Sequence, residues 1–247
     1  MRKVGLSIWL SLLFPAHLVF SIFCPAFAQN NNIDIRQLST MIEAGKFQEV
    51  IKLVSRANTE SMGSELLYLR GRAYFGMANF PMAIKDLTDA ISLDPTNSNY
   101  YFQRALVFLT NGQVTESLRD FTSALNLKPD DIKTISHRAK AFLLTGHLAK
   151  ALDDADSAIK LEPDNSDLYK LRADILTSMG DFQTAIANYD RAIAISPHTS
   201  AIYNNRAIAL ANLNRTKEAV ENLDSAMELS KTRQNSAATS IFQGSQW

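Results

Sequence analysis

The sequence has few of the residues that build small reactive sites. One cysteine, Cys24, occurs in 247 residues, so an internal disulfide and a thiol couple are both excluded. Histidine is almost as scarce, and His137, His147 and His198 lack the paired spacing of a zinc helix. The nine glycines form neither a GxGxxG run nor a phosphate loop. Net charge is missing too. With 25 basic and 25 acidic residues in balance, nothing electrostatic points to nucleic acid as a partner. The carboxylates Asp153, Asp154 and Asp156 lack the glycine and spaced oxygens of a calcium loop, and read as a solvated or salt-bridged helix face. No metal, no cofactor and no enzyme activity is expected. Asn214-Arg215-Thr216 has the form of a glycosylation acceptor, but that motif is short and common.

Long apolar runs are also absent after the first thirty residues. "MRKVGLSIWLSLLFPAHLVFSIFCPAFAQN" has a basic start, an apolar stretch and Ala26-Phe27-Ala28 before Gln29. This is the tripartite order of a secretory signal, with cleavage expected near Ala28; the alternative is an N-terminal membrane anchor. Pro15, His17 and Pro25 interrupt the stretch and favour cleavage. Phe23 is too bulky for the position before a lipidated cysteine. Cleavage would leave a chain without cysteine and without a membrane span, suited to a periplasmic or secreted location.

What the chain does contain is repetition. "IKDLTDAISLDP", "LRDFTSALNLKP", "LDDADSAIKLEP" and "IANYDRAIAISP" end at Pro95, Pro129, Pro163 and Pro197, each 34 residues after the last. We number columns from Ser64, Ser98, Ile132, Ser166 and Ser200. Column 4 holds Leu67, Tyr101, Ile135, Tyr169 and Tyr203, column 8 holds Gly71 and then four alanines, and column 11 holds Tyr74, Phe108, Phe142, Leu176 and Leu210. Steps of four and three put these on one face of a first helix. In a second helix, column 20 is small and column 27 is always alanine. Column 24 is large except at Ala155, which predicts a different or looser third repeat. Gly112, Gly146, Gly180 and Asn214 suit a left-handed turn between the helices, whereas Ala78 leaves the first turn less defined. The prolines end the second helices, and Asp, Asn, Ser or Thr follow to cap the next.

This register resembles the tetratricopeptide repeat, particularly the variety with a Tyr-x-x-Arg-Gly/Ala run. The resemblance implies an all-α, right-handed α-solenoid of helix–turn–helix units. Expected boundaries are 1–28 for the signal peptide and 29–63 for a degenerate first repeat with Gly45 and Ala57, plus a linker. Repeats follow at 64–97, 98–131, 132–165, 166–199 and 200–231. The polar tail, 232–247, is expected to be a frayed helix extension or disordered, with Ile241, Phe242 and Trp247 able instead to dock on the last repeat.

Arginine fills column 7 in every repeat: Arg70, Arg104, Arg138, Arg172 and Arg206. Sixteen residues on stand Asp86, Asp120, Asp154, Asn188 and Asn222, which predicts a structural pairing between the two helices of each unit. Asp190 and Asp224 lie two positions past the asparagines.

In the family, columns 2, 5, 6, 9, 12 and 13 line a concave surface that holds peptides. The resemblance places Glu65, Tyr68, Arg72, Asn99, Phe102, Gln103, Lys133, His137, Lys140, Asp167, Lys170, Asp174, Asn204, Asn205 and Asn212 there. Of these, Arg72, Phe102, Gln103, Lys133, His137, Lys140, Lys170, Asn204 and Asn205 are the expected partner contacts. The middle is basic and the end rich in amides, suiting a bound segment's backbone or carboxylate. Lys170 and Asn205 match two positions of the family's carboxylate-capturing pattern, but Asp174 stands where it needs asparagine. The expected function is a non-catalytic protein-binding scaffold or adaptor in the envelope or secretory compartment. The alternative is a self-associating, homo-oligomeric structural protein, and an enzyme subunit ranks behind both.

Overall fold

The computed structural model describes residues 34–56 and 62–244, with side chains as far as Thr232. Residues 1–28, where a signal peptide is expected, Cys24 among them, lie outside the described residues, as do Ala57 and the side chains of Ile241, Phe242 and Trp247. Among the described residues twelve helices follow one another and no strand occurs. They are α1 (Ile35–Glu43), α2 (Phe47–Ser55), α3 (Ser64–Gly76), α4 (Phe80–Leu93), α5 (Ser98–Thr110), α6 (Val114–Leu127), α7 (Ile132–Leu144), α8 (Leu148–Leu161), α9 (Ser166–Met179), α10 (Phe182–Ile195), α11 (Ser200–Asn212) and α12 (Thr216–Gly244). Each packs on the helix before and the helix after it, and the first helices of adjacent pairs also touch, which makes an α-solenoid.

The ends of the helices follow from local chemistry. Asn97, Asp131 and Asn165 accept from the amide hydrogens of Asn99, Thr134 and Asp167, capping α5, α7 and α9. Thr199 caps α11 without such a bond. The residues before the four prolines, Asp94, Lys128, Glu162 and Ser196, leave helical geometry for extended backbone, because a following proline ring crowds the α conformation. Between the paired helices Gly45, Gly112, Gly146 and Gly180 take φ of 73–83°. Ala78 holds the same turn at φ 56°, a conformation in which its Cβ is crowded. Ala78→Gly is therefore expected to raise stability by about 1 kcal/mol, read as a higher urea midpoint.

The first helices bury two faces rather than one. Besides column 8 and the half-buried or buried residues of column 4, column 10 (Ala73, Val107, Ala141, Ile175, Ala209) is 0% exposed in every repeat. A first helix inside a stack meets its own second helix on one side and the preceding repeat on the other, so one apolar stripe cannot serve both. In the second helices, the alanines of column 27 are all buried beneath the neighbouring helix. Ala155 leaves no loose spot. It is fully buried with Ala139 and Ala151 against Leu171 and Ile175, so α9 of the next repeat fills the space a large side chain takes elsewhere.

Column 20 contains one misfit. Ser117 is fully buried where the other repeats have alanine, and its hydroxyl has no hydrogen-bond partner. Ser117→Ala removes that orphan without changing the helix contact. We expect a gain of about 1 kcal/mol, visible as a higher melting temperature.

Candidate functional site

The repeating polar columns form a ladder along the solenoid. Arg70 donates through Nε and Nη2 to both oxygens of Asp86, at 2.7 and 2.8 Å. Arg104 meets Asp120 with the same two distances, and Arg138 meets Asp154 at 2.9 and 2.8 Å. The remaining guanidinium nitrogen reaches back to the previous second helix. There Arg70 meets Ser55, Arg104 meets Thr88 at 2.9 Å, and Arg138 meets Thr122 at 3.4 Å.

In the last two repeats the two partners exchange roles. Arg172 donates to the amide oxygen of Asn188 at 3.0 Å and finds its carboxylate in Asp156 of the preceding repeat, at 2.5 Å. Arg206 likewise uses Asn222 at 2.7 Å and pairs with Asp190 of the repeat before it. Asn188 and Asn222 spend their NH2 groups on the carbonyls of Thr184 and Glu218, one turn back. Each arginine thus has one carboxylate, held within the repeat at first and across the junction later. Asp86 is fully buried, and its hydrogen bond raises the pKa of Arg70.

The columns that vary lie mainly on the first helices. Between α7 and α9 is a recess of about 280 Å³, lined by Lys133, Ser136, His137, Lys140, Glu162 and Asp167 over a floor that includes Leu168 and Leu171. Lys133 extends Nζ to 4.8 Å from the ring centre of Phe102. Burial lowers the pKa of His137 from its ordinary value. Its Nδ1 lies 2.7 Å from the carbonyl oxygen of Lys133, so in the neutral ring Nδ1 carries the hydrogen and Nε2 is an acceptor. Lysine donors, carboxylate acceptors and this nitrogen all border one apolar floor. Such an arrangement can hold a polypeptide segment by its backbone and by one apolar side chain.

A second recess, about 200 Å³, lies between α9 and α11, where Asp174 is the hub. It accepts from Lys170 at 2.7 Å, from the hydroxyl of Tyr189 at 2.7 Å and from Asn205 at 2.8 Å. Burial, reinforced by the Asp174 carboxylate, raises the pKa of Tyr189, which stays a neutral donor. By sequence, Tyr189 is one of the large packing residues of column 24. The signal available was a tyrosine, rather than leucine or phenylalanine, fifteen residues after an aspartate in column 9.

Several expected contacts change status. Phe102 is only 8% exposed and packs against Phe121 and the edge of His137, so it belongs to the core and not to the groove surface. Lys170 is tied to Asp174, which leaves Lys133 and Lys140 as the basic part of the middle. Even they share their recess with Glu162 and Asp167. Arg72 stands apart near the start, its guanidinium 5.6 Å from the ring centre of Tyr68. Gln103 is half-buried and Asn204 exposed. The polar tail continues α12 as helix to Gly244. A larger hollow, about 590 Å³, covers the α8–α9 turn and Ile195, but Leu161 and Pro163 there belong to columns that recur along the chain, Pro163 in four of the five repeats. Among the described residues, no helix is long and apolar enough to cross a membrane and no three His, Cys, Asp or Glu side chains group as a metal site.

Profiles described as tetratricopeptide repeat match residues 64–97, 87–119 and 200–233, and one described as TPR repeat matches 173–214. No curated protein matches the sequence. Among solved structures, the C-terminal part of a TPR repeat-containing protein from Cytophaga hutchinsonii has a TM-score of 0.68 at 14% identity, covering 81% of this chain and 80% of that one. MamA has a TM-score of 0.62 at 20% identity, covering 67% and 96%. A chain of the APC/C hetero-tetramer Cut9-Hcn1 has 0.64 at 18% identity, covering 81% and 40%. At these identities the likeness is one of fold.

Proposed function

Since the chain is a tetratricopeptide-repeat protein, we propose that it works as a non-catalytic scaffold holding a segment of another protein against its first helices. The observation that carries this reading is the α7–α9 recess. There side chains that do not recur between repeats, Lys133, His137 and Lys140, border a leucine floor. An arginine ladder joins the two helices of each of the five full repeats, so a bound segment meets a largely preformed surface and little ordering is required of the solenoid. The repeat fold is also found in a chain of the Cut9-Hcn1 hetero-tetramer, an assembly of proteins. Export to the periplasm or beyond the cell belongs to the same proposal and rests on the tripartite N-terminal sequence, with a mature start near Gln29 as its check.

The test is affinity capture by the full chain, wild type beside a Lys133→Glu/Lys140→Glu variant with an unchanged melting temperature. The variant is expected to lose a specific partner by about tenfold or more in affinity, as reversal of complementary charge does at interfaces. Capture indifferent to the two changes would remove this recess from the proposal.

A further inference from the structure

The C-terminal end of the solenoid carries half of a repeat junction. In column 24, Leu87, Phe121, Ala155 and Tyr189 are 0–1% exposed beneath the next first helix, but Leu223 is 45% exposed. Val220 at 51% and Met227 at 54% continue the same open face of α12, at helical steps of three and four. Beside them Asp224 stands in column 25. At the two preceding junctions that column supplies the carboxylate for the next repeat's arginine, as Asp156 does for Arg172 and Asp190 for Arg206. Thirty-four residues after Arg206 the chain has Ser240, within α12 itself.

We propose that this face receives an amphipathic helix of a partner protein, one that brings an arginine, followed by a small residue, onto Asp224. The apolar stripe and the carboxylate are the complement of a first helix. The exposed acids Glu221 and Glu228 flank Asp224 and add to its attraction for a cationic helix. Residues 216–244 do not supply that helix, because α12 runs on without glycine or proline from Thr216 to its last residue, Gly244. A second copy fits poorly by either end. Apart from Leu53 at 40%, the exposed residues of α1 and α2, among them Arg36, Thr40, Glu43 and Lys52, are mostly polar, and two α12 faces would oppose their carboxylates. This surface is separate from the α7–α9 recess, and neither reading depends on the other.

A labelled peptide of residues 198–214 of this same chain serves as the probe, since it carries Arg206 and Ala207 in the required register. It is titrated into the full chain up to millimolar concentration, because a free helix of this length is only partly formed in water. Saturable binding is expected. It should weaken about tenfold or more with Asp224→Arg, the scale of a lost charged hydrogen bond, and disappear with Leu223→Glu. A peptide carrying Arg206→Glu should recover binding to the Asp224→Arg chain. Both variants change exposed side chains, and unchanged melting temperatures check their folding. No saturable binding, or binding indifferent to both substitutions, would overturn the proposal. So would a dimer in solution that Leu223→Glu dissociates, since the occupant would then be a second copy.

Discussion

Replacing Asp86 with alanine is expected to destabilise the solenoid by about 3–5 kcal/mol, the range for removing one partner of a buried ion pair. Asp86 is fully buried and receives two hydrogen bonds from Arg70, which is itself mostly buried between α3 and α4. Without the carboxylate, the guanidinium keeps only the longer contact to Ser55 at 3.3 Å and must stay in the interior or drag the helices apart to reach water. Removing both charges together, as in Arg70→Met with Asp86→Leu, should recover most of the loss, because an apolar pair of similar volume leaves no charge behind. Thermal melts of the two single variants and the double measure the coupling. A loss below about 1 kcal/mol for Asp86→Ala would put the pair among surface ion pairs and remove the ladder from the account of stability.

Tyr189→Ala is expected to cost about 3–5 kcal/mol, as truncations of buried aromatics do. Tyr189 is 1% exposed at the centre of the last core cluster, against Ala173, Leu176, Ile202 and Ala207. Its hydroxyl also fixes Asp174, so the truncation loosens the α9–α11 recess along with the core. Tyr189→Phe separates the two roles. It keeps the packing and removes one of the three donors to Asp174, leaving Lys170 and Asn205, and should cost only about 1 kcal/mol. Denaturant unfolding of both variants gives the comparison. Equal losses would mean that the hydroxyl, rather than the ring, carries the residue's weight.

The period of 34 was enough to read the helix pairs, the turn glycines and the proline stops, because each depends on backbone preferences that one residue expresses alone. Ala78 shows the limit of that reasoning, since the surrounding stack holds it at a φ its own preference disfavours. Ala155 shows another limit: whether a small residue leaves a gap depends on its neighbour in the next repeat, and Leu171 fills this one. The arginine ladder was legible as a spacing of sixteen within a repeat. The exchange at Arg172 and Arg206 was not, because it turns on the spacing to the repeat before. The variable residues were legible only as columns. Column membership placed Phe102 on the surface, while its ring is large enough to turn into the core beside Phe121. It also counted Lys170 as an available cation without seeing the four-residue reach to Asp174.

Hydrogen exchange on the full chain, alone and saturated with its captured partner, tests most directly whether the non-repeating first-helix face is where binding occurs. Slower exchange is expected in α7, α9 and α11, centred on Lys133–Lys140 and Asp174, with α4, α6 and α8 unchanged. Protection confined to those second helices, with α7 and α9 exchanging as in the free chain, would contradict it.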